Sequence, residues 1–183
     1  MKELSLNILE ISENSTKAGA TLVEISISES DACLEIVIRD NGTGMTPETL
    51  SSVTNPFYTT RTTRRVGMGI PLFKLSAEQT GGELNIKSTH IGDSPDEHGT
   101  TVSALFYKTH MDFTPLGDIV STVITMIQGH PTVDFLFSHK TEKNEVTLDT
   151  RNIRELLDPV PINTPEVLSW IRDNLVEQYN ENK

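Results

Sequence analysis

The sequence predicts an α+β fold, with helices on one face of a mixed, mostly antiparallel sheet and a small C-terminal αββαα extension. Three observations predict it. Strand-like segments come in neighbouring pairs, so they read as hairpins. Helical periodicities flank those pairs in the order α, ββ, short α, loop, α, ββ. Past residue 111 the pattern restarts as a helix, a hairpin and two more helices.

Residues 2–18 read as a helix. Leu4, Ile8 and Ile11 fall at i, i+4, i+7, Leu6 and Leu9 widen the apolar face, and Ala18-Gly19-Ala20 ends it. Val23, Ile25 and Ile27 alternate with polar residues, as do Leu34, Ile36 and Ile38, and Ser28–Ala32 supplies the turn between them. The second strand runs into Asp40-Asn41-Gly42-Thr43-Gly44-Met45, a turn with two glycines. Thr46-Pro47-Glu48 then opens a short helix to about Val53. Residues 54–66 are polar and basic without periodicity and read as an exposed loop. Gly67-Met68-Gly69-Ile70 leads a helix that runs through Thr80 and is stopped by Gly81-Gly82. Strands are expected from Leu84 and over Thr101–Tyr107. In the extension, Thr114 and Pro115 read as the start of a helix to about Gln128. A hairpin over Val133–Ser138 and Val146–Leu148 follows, then helices over Asp149–Leu157 and Thr164–Tyr179. Trp170, with Val167 and Ile171, is expected in a core or interface.

Composition excludes several function classes. The 183 residues carry 15 basic and 26 acidic side chains, a net charge of −11, which disfavours a polyphosphate backbone as partner, so no nucleic acid is expected. No apolar run approaches the roughly 20 residues of a membrane span. The first residues lack the apolar stretch of a secretory signal, so the expected location is the cytoplasm. A single cysteine, Cys33, excludes an internal disulfide framework and a cysteine-built zinc site. The histidines at 90, 98, 130 and 139 show no ligand spacing and read as surface residues.

Four short segments carry chemistry. Glu10, Asn14 and Lys17 share one face of the first helix: a carboxylate that can deprotonate water, an amide oxygen suited to Mg²⁺, and an ammonium that offsets phosphate charge. An ordinary solvated helix face has the same pattern. Asp40-x-Gly42-x-Gly44 sets a carboxylate at a strand end beside glycines that let a ligand lie close, able to accept the exocyclic amine of adenine; a plain Asp/Asn/Gly turn looks alike. Gly67-Met68-Gly69 opens a helix, where backbone N–H groups and the dipole attract phosphate. Gly99-Thr100-Thr101 enters the last strand of the first part, where a hydroxyl and an amide can close a pocket.

In this order the segments resemble the Bergerat-fold ATPases, the GHKL superfamily of gyrase, heat-shock chaperones, histidine kinases and mismatch-repair proteins. Glu10–Thr21 is similar to the N-box in its mismatch-repair form, Asp40–Met45 to the G1 box, Asn55-Pro56-Phe57-Tyr58-Thr59-Thr60-Arg61 to the F-box of histidine kinases, Gly67–Lys74 to the G2 box, and Gly99-Thr100-Thr101 to the last glycine–threonine element. The resemblance implies a two-layer α/β sandwich over residues 1–108, a histidine kinase-like ATP-binding domain, with 109–183 as an extension of unknown role. It implies ATP and Mg²⁺ as ligands, Asn14 on the metal, Asp40 on adenine, and Gly42 and Gly44 shaping the purine pocket. Gly67 and Gly69 would support a lid over residues 46–66 that includes Thr60 and Arg61, and Thr100 would lie near adenine. Lys17 and Arg61 would meet phosphate charge. Arg65 departs from the G2 pattern, which has a glycine there. Glu10 departs from histidine kinases, which carry asparagine, and matches hydrolytic members and anti-sigma serine kinases.

Three functions follow as expectations: an ATP-hydrolysing or ATP-gated regulatory switch with Glu10 as general base, a protein kinase acting on a partner, or a nucleotide sensor without catalysis. A protein partner or phosphoacceptor and a homodimer are implied by analogy with relatives. His110-Met111-Asp112-Phe113-Thr114-Pro115-Leu116 loosely echoes the H-x-x-x-T-P-L of an acceptor helix; its plainer reading is a helix start at Thr114-Pro115.

Overall fold

The computed structural model describes residues 3–53 and 69–181. Its elements are α1 (Leu4–Lys17), β1 (Leu22–Glu29), β2 (Cys33–Asp40), α2 (Pro47–Ser52), α3 (Gly69–Gln79), β3 (Glu83–Thr89), β4 (Gly99–Tyr107), α4 (Ile119–Gly129), β5 (Asp134–Lys140), β6 (Glu145–Asp149), α5 (Thr150–Leu157) and α6 (Pro165–Asn180). The expected order of helices and paired strands is the observed one. Thr46 caps α2 by accepting from the Thr49 amide, with Pro47 at the first position.

The strands form one six-stranded sheet in the order β3-β4-β2-β1-β5-β6. All neighbours are antiparallel except β1 and β5, which run parallel with Ile25 opposite Phe137. Period-2 alternation turns Val23, Ile25 and Ile27 of β1, Leu34, Ile36 and Ile38 of β2, Val102, Ala104 and Phe106 of β4, and Phe135 and Phe137 of β5 to one buried face. Against that face lie Leu4, Ile8 and Ile11 of α1, Phe73 and Ala77 of α3, Val123, Met126 and Ile127 of α4, and Ile171 and Leu175 of α6. Burying each such Val, Leu, Ile, Phe or Met side chain contributes about 1.5–3 kcal/mol. The opposite face carries Ser26, Ser28, Glu35, Arg39 and Lys87 and meets water, with an Arg39–Glu24 ion pair across β1 and β2. No helix among the described residues is long and apolar enough to cross a membrane.

The hairpin β5–β6 extends the sheet that the first part of the chain begins, so residues beyond 108 share the core of residues before it. The chain enters this part differently from the sequence expectation. Thr114 and Pro115 do not start a helix: α4 begins at Ile119, and Asp118 caps it by accepting from the Ser121 amide. The reason lies elsewhere in the chain. The carbonyls of Pro115 and Leu116 accept from the Leu4 and Ser5 amides, two of the first N–H groups of α1 that no turn of that helix can satisfy, and Gly117 turns at φ +80°. His110 lies in the turn after β4, paired with Asp112, and not on a helix.

The expectation of surface histidines also needs correction. His139 is only 5 % exposed, because the β5 alternation points it to the buried face. Its Nε2 lies 3.0 Å from Glu29 Oε2 and its Nδ1 2.8 Å from the Tyr179 hydroxyl of α6, while Lys108 donates to Glu29 at 2.7 Å. His130 and His98 are half-buried with partners described below. Trp170 is 54 % exposed, although Val167 and Ile171 beside it are buried.

Burial depresses the His139 pKa, against a smaller opposing pull from Glu29. Burial raises the Glu29 carboxyl, but Lys108 and His139 together outweigh it and hold it below the ordinary range; burial raises the Tyr179 hydroxyl. A group whose pKa is lowered on folding binds fewer protons in the folded state, so acid destabilises. Urea unfolding should therefore show stability falling as pH drops below about 6.5, the ordinary histidine value, and falling again below about 4.5 as Glu29 is reached. His139→Gln should remove the first decline and keep the second. A wild-type stability that stays flat from about pH 7.5 to 5.5 would contradict this assignment.

Candidate functional site

The site is built around the end of β2. The alternation that buries Leu34, Ile36 and Ile38 also turns Asp40 inward, leaving it 9 % exposed. Three segments satisfy its carboxylate: Ser15 of α1 donates to Oδ2 at 2.6 Å, and the amides of Gly42 and Thr100 donate to Oδ1 at 2.9 and 3.3 Å. A carboxylate offers about four lone-pair directions, so Oδ2 keeps one acceptor position for a ligand N–H.

The turn after Asp40 is pressed against its surroundings on both sides. The Thr43 amide donates to the Ala18 carbonyl at the end of α1, and the Thr43 carbonyl accepts from Ile91. A Cβ at Gly42 would sit 3.0 Å from the Ala18 Cβ and carbonyl. Gly44 has φ +68°, and a Cβ there would fall 1.9 Å from the Thr89 carbonyl. Asn41 accepts from the Thr21 and Leu22 amides and donates to the Thr21 hydroxyl, fixing where β1 starts. His98 Nδ1 donates to the Gly42 carbonyl, which can only accept. Ser88 accepts from the Met45 amide, lies 2.8 Å from the Thr100 hydroxyl and donates to the Gly99 carbonyl, so Thr100 is tied to the turn through both its amide and its side chain.

Glu10 and Asn14 lie on one stripe of α1, and Gly69 is brought to it. A Cβ at Gly69 would come 3.1 Å from Glu10 Oε2 and 3.3 Å from Glu10 Cβ, so the carboxylate lies against the N-terminus of α3. There the first N–H groups of an 11-residue helix lack partners within the helix and attract anions. Glu10 Oε2 is buried and has no hydrogen-bond partner. A buried carboxylate oxygen left unpaired has an acceptor position that a water can fill, beside a helix N-terminus that attracts anions. Asn14, half-buried one turn along, offers the hard oxygen that Mg²⁺ takes. Among the described residues no group of three or more His, Cys, Asp or Glu could hold a metal, so a metal here would rest on Asn14, phosphate oxygens and water.

Lys17 is turned to Glu13, 3.6 Å away, and is largely exposed. Glu13 also meets His130 Nε2 at 2.7 Å, at the end of α4. Burial raises the Glu13 carboxyl, but His130 and Lys17 outweigh it and keep it below its ordinary range. Thr60, Arg61 and Gly67, and with them the F-box, lie outside the described residues. Sequence reading missed Ser15, Ser88 and His98. Ser15 had a signal: it continues the buried Ile8–Ile11 stripe, where an apolar residue is expected. Ser88 and His98 had none, since their partners lie 43 and 56 residues away.

Residues 2–110 match the family described as histidine kinase-, DNA gyrase B-, and HSP90-like ATPase. The chain belongs to this family. The sensor protein SrrB of Staphylococcus aureus is 32 % identical over 93 residues, which cover 48 % of this chain and 16 % of that protein. An NtrY-like protein of Rickettsia bellii, named as a sensor histidine kinase, is 27 % identical over 93 residues, 50 % of this chain and 15 % of that one. The aligned stretch is thus about a sixth of these relatives. Among solved structures, the MutL ATPase domain of Aquifex aeolicus complexed with ADP superposes with a TM-score of 0.56 and 17 % identity, covering 86 % of this chain and 70 % of that one. That coverage exceeds residues 2–110, so the likeness in fold runs into the C-terminal part. The family's two-layer fold is therefore shown both by sequence match and by shape.

The contact at Gly44 yields a direct check. Gly44→Ala puts a methyl group into the Thr89 carbonyl at a left-handed backbone position, and should lower unfolding stability by more than about 2 kcal/mol in a urea titration. Unchanged stability would show that this turn is not pinned as described.

Proposed function

We propose that the chain binds Mg-ATP between the stripe of α1, the Asp40 turn and the N-terminus of α3, and hydrolyses it as a regulatory switch with Glu10 as general base. Family membership supports nucleotide binding, and an ADP complex is named for a domain of the same fold. The observation that carries the catalytic part is the Glu10 carboxylate, buried at Oε2 without a partner and seated against Gly69, where a helix N-terminus would receive the terminal phosphates. Histidine kinases carry an amide at this place, which cannot take a proton; a carboxylate can.

In this reading Asp40 accepts the adenine amine, with Thr100 and the Gly42 turn against the ring. Glu10 takes a proton from water as the water oxygen bonds to the γ-phosphorus and the bond to the ADP oxygen breaks. Mg²⁺, when bound, offsets the charge of the phosphates, and Asn14 is the residue that would hold it. Arg61, Thr60 and Gly67 are proposed to complete the phosphate side, and Lys17 to add charge at its rim.

The relatives named as sensor proteins support a second reading, transfer of the γ-phosphoryl to a partner protein. With a carboxylate base, the acceptor in that reading is a serine or threonine hydroxyl.

Glu10→Gln decides the role of the carboxylate. Calorimetry should show Mg-ATP affinity within about threefold of wild type, while phosphate release falls at least about 100-fold. Undiminished phosphate release in this variant would remove Glu10 as the base. Radioactive γ-phosphate appearing in a second protein, in place of free phosphate, would favour transfer over hydrolysis.

A further inference from the structure

Among the described residues, every buried side-chain nitrogen or oxygen without a hydrogen-bond partner belongs to α1: both amide atoms of Asn7, Glu10 Oε2 and Ser12 Oγ. Asn7 is the most exceptional. It is 1 % exposed, and neither its donor nor its acceptor is used. An unsatisfied buried amide costs stability, and a leucine or isoleucine in its place would not. The neighbouring inward positions of this helix, Leu4, Ile8 and Ile11, are filled that way.

Its position suggests what the amide is for. Asn7 and Glu10 are three residues apart on the helix, so their side chains are neighbours on one stripe, about 5–6 Å apart at Cβ. Asn14 continues that stripe. Glu10 meets Gly69 of α3 from it. Ser12 lies about 140° round the helix from Asn7, and so belongs to a different side of the helix. Three of the four unpaired atoms therefore lie on one stripe of the helix, the stripe from which Glu10 meets the N-terminus of α3.

We infer that Asn7 is a positioning residue for Glu10. Its amide N–H donates to Glu10 Oε2 when nucleotide and water fill the site, and it holds the carboxylate turned to the water from which it takes a proton. The amide keeps its own protons throughout; the proton moves from water to Glu10. Glu10 Oε2 and both amide atoms of Asn7 lack hydrogen-bond partners in this structure. This inference rests on the hydrolytic reading above and adds a residue that the N-box pattern does not contain.

The test compares wild type, Asn7→Leu, Glu10→Gln and the double variant of the full chain. Three quantities are read: melting temperature without nucleotide, Mg-ATP affinity by calorimetry, and kcat and KM for phosphate release. Asn7→Leu should raise the melting temperature, since it removes an unpaired buried amide. It should leave affinity and KM within about twofold and lower kcat at least about tenfold. In the Glu10→Gln background, the same change should alter the residual rate less than about twofold, because Asn7 acts through Glu10. Asn7→Ala should give the same kcat loss without the gain in melting temperature, which covers the case in which leucine does not fit. Full kcat in both Asn7 variants overturns the inference. So does an equal fractional loss in both backgrounds, or a fall in melting temperature on Asn7→Leu with kcat intact. If Glu10→Gln retains wild-type turnover, or wild type releases no phosphate, the hydrolytic reading fails and this inference falls with it. If Glu10→Gln abolishes turnover and Asn7→Leu does not lower it, only the inference fails.

Discussion

Asp40 stands at the end of β2 with its carboxylate turned into the protein, and donors from α1, from the turn that follows it and from β4 converge on it. A buried carboxylate without such donors would carry a large desolvation cost, so each donor segment has to be in place for the strand end to be buried at all. Ser15 fixes the rotation of α1, which sets the direction in which Glu10 and Asn14 point. Thr100 fixes the start of β4, and Gly99 can approach there only because it lacks a side chain: a Cβ would fall 2.0 Å from the Asp40 carbonyl. One acceptor position on Oδ2 remains. In the proposed reading the polar centre and the ligand contact are one group.

The part of the chain after residue 108 is joined to this centre at three levels. Its strand β5 gives β1 a parallel neighbour and so closes what would otherwise be an open sheet edge. Its entry segment supplies the carbonyls that satisfy the first amides of α1. Its His130 pairs with Glu13, one residue from Asn14. The helix that carries the proposed nucleotide contacts is therefore held at its start by residues 115–116 and near its end by His130. Any rearrangement of α4 would be felt by α1 directly, the kind of connection that a switch needs.

The periodicities made the helices, the two strand pairs before residue 108 and the hairpin after it legible, because each rests on contacts local in sequence. The parallel pairing of β1 with β5 was not legible: both strands alternate equally well, and nothing within either specifies its neighbour. The start of α4 was misread for a similar reason. Thr114-Pro115 has the local form of a helix start, and a distant helix end claims its carbonyls. At the site, Glu10, Asn14, Asp40, Gly42, Gly44, Gly69 and Thr100 could be named from the order of short segments. Ser88 could not, since its partner lies 43 residues away, and Ser15 gave only the signal of a polar residue on a buried apolar stripe. His139 shows the limit most plainly, for its burial follows from which face of β5 the core occupies.

In the proposed reading, Asp40 reads the base of a nucleotide held against α1. A carboxylate accepts hydrogen bonds and cannot donate them, so it should favour the exocyclic amine of adenine and reject the carbonyl that guanine carries at the same position. Calorimetric titration of the chain with Mg-ATP and with Mg-GTP tests this directly. Saturable binding of ATP at one site per chain is expected, with GTP at least about tenfold weaker. Equal affinity for both nucleotides, or no binding of ATP by the folded chain, would contradict it.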